Sequence, residues 1–187
     1  MKKRLLIITI LMTAFSGIAF PKNRNFERFA FLLGEWTGTG SGMGNTRSKI
    51  QSEFKVIMNG TYIQIKNYAE WEPTKSRPKG DKHTDWGILS FDKKRKKVIY
   101  RQFHSEGYVH RYVLNDSLST DTQLIFETET IENFIEGGKS RWTIRKHSDK
   151  EIEIRFDVCV PGKESAYYNT HRLRKKTEKD RGLGVGA

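Results

Sequence analysis

Apolar and polar residues alternate with period two along most of this chain. Residues 151–160 show it best, with Ile152, Ile154, Phe156 and Val158 on one side and Glu153, Arg155, Asp157 and Cys159 on the other. That is the signature of a strand with one buried face. The same alternation, punctuated by turn residues, predicts strands at 48–57, 61–71, 85–91, 97–103, 108–115, 123–134, 140–147, 151–160 and 165–174. Asn59-Gly60 is the clearest turn, because that pair takes the positive φ angles of a tight hairpin at little cost. The longest connection is 72–84, with two prolines and four basic residues, and it includes His83. Ahead of these strands, Trp36 is followed by glycine at every second position, Gly38, Gly40 and Gly42. A strand bared on one face marks a place where something approaches closely or the sheet bends sharply. Asn25 is placed to cap a short helix over 26–33 that Gly34 ends, and Phe26, Phe29, Ala30 and Leu33 share one side of it. Such a helix would plug one end of the sheet.

No stretch between the strands is long and periodic enough for the crossover helix that parallel pairing needs, so the sheet is antiparallel and up-and-down. About ten strands in this order leave costly edges unless they close. The prediction is therefore all-β: a closed up-and-down antiparallel barrel of about ten strands with a short N-terminal helix, over 20–174. A barrel of this size tends to enclose a cavity. Parity then names its lining: Tyr100, Gln102, His110, Tyr112, Trp142, Tyr167, Asn169 and His171, with Tyr62 added from strand 61–71. Aromatic walls with a few convergent polar groups are what small-molecule sites look like. The bland counterpart is an internal hydrogen-bonded network with ordered water.

The opening Leu32-Leu33-Gly34-Glu35-Trp36-Thr37-Gly38-Thr39-Gly40, the short helix before it and the meander of about ten strands resemble the calycin superfamily. Within it, the chain is similar to a group of exported bacterial lipocalin-like domains of unassigned function, distantly similar to nitrobindins and fatty-acid-binding proteins. The resemblance runs over about 26–174. It implies small-molecule binding inside the barrel and names no ligand; with the mixed lining, the leading expectation is a non-catalytic binder of a small, partly apolar molecule. Through the nitrobindins it also implies haem held by a histidine near the C-terminal end of the barrel, where His171 is the candidate. A neutral imidazole is a good haem ligand.

Composition adds compartment. Lys2, Lys3 and Arg4 precede an apolar run of 11 residues, Leu5 to Phe15, and Gly17-Ile18-Ala19 offers a small-residue cleavage site. That is a signal peptide over 1–19, too short to span a membrane, and it predicts export to the periplasm or beyond. A retained N-terminal anchor is the alternative. Cleavage lowers the net charge from +12 to +9. The basic remainder favours acidic partners, and the run 93–97 suits weak attraction to an anionic membrane surface, with the barrel then a scaffold for an envelope interaction protein. Aromatics for base stacking are not interleaved with that run, and no nucleic-acid partner is expected. Cys159 is the single cysteine and points outward, so no internal disulfide forms. The histidines lack metal-site spacing, so no metal and no resident cofactor are expected. The glycines after Trp36 do not fit a dinucleotide fingerprint. The tail from 175 to 187 is charged, then glycine-rich, and reads as disordered.

Overall fold

The computed structural model describes residues 21, 23–42, 46–75, 77–163, 166–177 and 180. The proposed signal peptide, and most of the tail after Thr177, lie outside the described residues. Within them a 3-10 helix, Arg24–Leu32, precedes ten strands. These are β1 (Gly34–Gly42), β2 (Thr46–Ile57), β3 (Tyr62–Trp71), β4 (Asp81–Asp92), β5 (Lys97–His104), β6 (Val109–Leu114), β7 (Gln123–Glu132), β8 (Lys139–Lys146), β9 (Glu151–Cys159) and β10 (Ala166–Lys175). Each pairs antiparallel with its sequence neighbours, and β1 pairs with β10 to close the barrel. The alternation in the sequence therefore set the element type, and the absence of crossover helices set the topology.

Strand ends shift by a residue or two, and two differences are larger or change a residue's role. The helix is capped by Asn23, whose side chain accepts the amide hydrogen of Asn25 at 3.0 Å, instead of by Asn25. Strand β4 starts at Asp81, so His83 belongs to a strand and not to the long loop. The Asn59 turn behaves as its residues dictate, with φ of 55° at Asn59 and 88° at Gly60.

The helix seals one end. Phe26, Phe29 and Leu32 enter the barrel and pack with Trp36, Phe54, Ile63 and Leu124. The Trp36 indole N–H donates to the Leu32 carbonyl at 2.6 Å, and the Lys175 ammonium sits 5.1 Å from the indole ring. The hydrogen bond satisfies a helix-end carbonyl that would otherwise be buried without a partner. Trp36→Phe removes it and leaves a void. Urea unfolding is expected to show a loss of about 2–4 kcal/mol; a variant as stable as the wild type would mean that the bond contributes nothing.

Across the waist the barrel is filled. The Tyr100 ring packs on Tyr112 at 5.7 Å and on Trp142 at 4.8 Å, and Trp142 packs on Phe126 at 5.6 Å. Gly87 makes room for this, since a Cβ there would lie 2.5 Å from the Tyr100 ring. The expected hollow cylinder is thus filled at its base and waist; toward the other end His83, His104, Asn169 and His171 are only half-buried. Lys175, assigned to the tail, is the last residue of β10; beyond it Lys176 meets Glu35 at 3.5 Å and Asp180 accepts two hydrogen bonds from Arg174.

Candidate functional site

Above the aromatic floor the inward positions turn polar. Strand register places Ser52, Asn67, Asp85 and His104 opposite one another across β2, β3, β4 and β5. One step further toward the mouth on β4 stands His83, and Gln102 faces His110 across β5 and β6. On the far wall His171 lies opposite Ile154 and Gly40.

Asp85 anchors the group. It is only 5% exposed, and a carboxylate at that depth needs partners. Asn67 donates to it at 2.7 Å and the His83 Nε2 lies 3.4 Å away. Burial alone would raise the Asp85 carboxyl, but the bonds from His83, Gln102 and Asn67 hold it below its ordinary value. His83 in turn bonds through Nδ1 to the Glu106 carboxylate at 2.7 Å. Burial opposes a charge on His83, yet the two carboxylates raise its pKa to about 9. It is an imidazolium clamped between two anions.

The other three imidazoles are neutral. Burial and the neighbouring His104 push His110 down to about 3, and burial takes His171 to about 4. His104 is lowered as well, again by burial. The His110 Nδ1 pairs with the Tyr112 hydroxyl at 2.7 Å, and Ser140 donates to that hydroxyl at 3.1 Å. Rings of His83 and His104 are 5.3 Å apart, and those of His104 and His110 are 4.6 Å apart. Among the described residues, four polar atoms in or just below this layer are buried without a hydrogen-bond partner: His104 Nε2, Gln102 Oε1, Tyr100 Oη and Ser52 Oγ. Orphaned polar atoms cost free energy, and so many at one end of a core mark a site built for a guest or for water.

Most of the lining expected from parity faces inward. Tyr100 and Tyr112 are 0% exposed and form the floor with Trp142; Gln102 and His110 stand on it, and Asn169 and His171 are half-buried at the rim. Two residues do not belong. Tyr62 shares its side of β3 with Gln64 and Lys66, while Ile63 and Ile65 are the buried neighbours, so Tyr62 is on the outer wall. Tyr167 is also outside, because a register shift between Tyr167 and Asn169 inserts Tyr168 as an extra residue and reverses the parity above it. Tyr167 lies opposite Asp157, bonds to the Ser41 carbonyl at 2.8 Å and carries the Arg155 guanidinium 5.4 Å from its ring. The bulged Tyr168 instead meets Phe156, ring to ring at 5.8 Å.

His83, Asp85, His104 and Glu106 were missed as a unit. The available signal was parity itself: the inward set Leu89 and Gly87 continues upward through Asp85 to His83. Nor do the bare glycines serve a guest. A Cβ on Gly38 would strike the Arg172 carbonyl oxygen at 1.9 Å, and one on Gly40 would strike the Ser48 hydroxyl at 2.4 Å. What comes close there is the neighbouring strand. The basic run 93–97 lies at the plugged end, where Arg95 pairs with Glu129 and Lys97 with Asp116.

No known protein-family profile matches the chain, and no curated protein does. Among solved structures it is similar to Rv2717c from M. tuberculosis, with a TM-score of 0.59 at 13% identity over 83% of this chain and 99% of that one. It is also similar to the barrel EF1p2_mFAP2b bound to DFHBI, with a TM-score of 0.45 at 13% identity over 80% and 97%. The first of these likenesses supports the barrel fold.

Proposed function

We propose that this protein is an exported, lipocalin-like member of the calycins that binds a small, partly apolar molecule at the open end of its barrel, as a carrier or sensor and not a catalyst. The observation that carries the reading is the convergence of partnerless buried polar atoms, His104 Nε2 and Gln102 Oε1 above all, on one end of an otherwise apolar interior. A guest with a hydrogen-bonding head would satisfy them, while its apolar part lies against Phe156 and Tyr168 at the rim. The closed waist limits the guest to the mouth. The exposed Lys93, Lys94 and Lys96 at the opposite end would add weak attraction to anionic membrane surfaces.

Native mass spectrometry of the mature protein from its own host is expected to show an organic adduct. Gln102→Leu is expected to weaken binding of that adduct about tenfold. Host protein that carries no organic adduct in repeated preparations would end the proposal.

Haem on His171 is the second reading, favoured by one observation: His171 is a neutral, half-buried imidazole on the wall opposite the polar cluster. His171 would supply the axial ligand, and bound haem would supply redox and diatomic-gas chemistry. Added haemin is then expected to give a shifted Soret band, the shift being lost in His171→Ala; an unshifted band with the wild type rejects it.

A further inference from the structure

We propose that His83, Asp85 and His104 form a binding site for a divalent first-row transition cation of the zinc class. One ligand atom from each lies within 4.8 Å of the other two. Zinc bonds of about 2.0–2.2 Å place ligand atoms roughly 3.3 Å apart, so small ring rotations close the set on an ion. Two imidazoles and one carboxylate are the donor mixture for zinc or iron(II), and not for calcium or magnesium, which take oxygen throughout.

The surroundings support the assignment. Metal-bound imidazoles usually give their second nitrogen to a carboxylate, which fixes the ring. His83 does this: Nδ1 is held by Glu106 at 2.7 Å, and Nε2 is left facing Asp85. Asp85 is oriented in the same manner by Asn67 at 2.7 Å. The His104 Nε2 is buried and has no partner, and the nearby Gln102, itself 5% exposed, leaves Oε1 unpaired. On binding, the ion would take the place of the His83 Nε2 proton, released to solvent, as the counter-charge to the buried Asp85 carboxylate. The three residues come from two adjacent strands, and Asp85 and His104 are direct cross-strand partners, so the barrel itself sets their spacing. The site lies on the solvent side of the aromatic floor, where the His83 side chain is 22% exposed, so water would complete the coordination. This inference shares His104 Nε2 with the small-molecule reading and differs from it in that side chains of the chain itself hold the ion.

Tag-free, chelator-treated mature protein should be titrated with Zn2+ against a chromophoric chelator. One equivalent is expected to bind. His104→Ala is expected to weaken it at least about tenfold, Glu106→Gln by about tenfold through loss of ring orientation, and His147→Ala, exposed at the plugged end, by nothing. Co2+ added to the wild type provides a readout independent of any variant's folding: visible d–d bands of a low-coordinate nitrogen and oxygen site, displaced by Zn2+. No stoichiometric binding, or binding as tight in His104→Ala as in His147→Ala, overturns the proposal. An organic adduct on metal-free protein would keep the small-molecule reading while this one fails.

Discussion

Gly38→Val is expected to prevent the barrel from closing. Gly38 sits in β1 between Ile50 of β2 and Leu173 of β10. A Cβ at this position would lie 1.9 Å from the Arg172 carbonyl oxygen, 2.9 Å from its carbon and 3.0 Å from the Leu173 Cα. All three are backbone atoms, so no rotamer relieves the overlap, and β1 must move away from β10. That seam is the only thing that turns ten strands into a ring, and parting it exposes two edges and unseats Trp36. The loss is expected to be on the order of 4 kcal/mol or more, at the far end of what single substitutions do. Urea titration followed by tryptophan fluorescence, or the soluble yield when folding fails altogether, measures it. Gly40→Ala supplies the contrast. Its new methyl would meet side-chain atoms, Ser48 Oγ at 2.4 Å and His171 Cδ2 at 3.0 Å, which can give way. Equal stability in Gly38→Val and wild type would refute the account of the seam.

The second large effect is on acid stability. His110 and His171 have native pKa values of about 3 and about 4, against an ordinary 6.5, because burial penalises their charged forms. Below pH 6.5 the unfolded chain takes up protons that the native state refuses. Their contribution is therefore complete above 6.5 and shrinks as the pH falls toward the native values, by about 1.4 kcal/mol per pH unit for each group. His171 is half-buried, and solvent reduces its share. Chelator-treated protein is expected to lose about 3 kcal/mol between pH 7 and pH 5. His83 works in the opposite sense. Its pKa is raised to about 9, so its contribution is complete below 6.5 and disappears as the pH rises through 9. Between pH 5 and 6.5 it does not offset the acid loss. Stability is thus expected to peak near pH 6.5–7, and His110→Gln should flatten the acid limb alone. A urea midpoint that stays the same from pH 7 to pH 5 would contradict this electrostatic picture.

The fold was legible because one signal, parity, decided both where strands lie and which residues enter the core. It located β9 and its inward Ile152, Ile154 and Phe156, and it set Tyr100, His110 and Tyr112 on one wall. It failed where the backbone departs from strict alternation. The extra residue at Tyr168 reverses every side chain beyond it, and nothing in Ala166-Tyr167-Tyr168-Asn169 announces such a bulge. It also failed at the upper end of β4. Asp81, Lys82 and His83 follow a proline-containing, charged loop, and polar residues that line a barrel mouth have the same composition as a loop. The histidine and aspartate cluster was hidden for a third reason. Its members are far apart in sequence and meet only through the cross-strand pairing of Asp85 with His104, which ligand-spacing rules written for helices and tight turns do not cover.

The first and last described elements of the barrel lie on its sealed side. The helix that begins at Arg24 and the terminal strand that stops at Lys175 meet there, tied by the Lys175 ammonium to the Phe31 carbonyl at 3.4 Å. A tether, fluorescent reporter or immobilising linker joined just before Arg24 or just after Lys175 would therefore hold the molecule like a cup by its foot. The imidazole-ringed opening would face away from the support, accessible to whatever diffuses past.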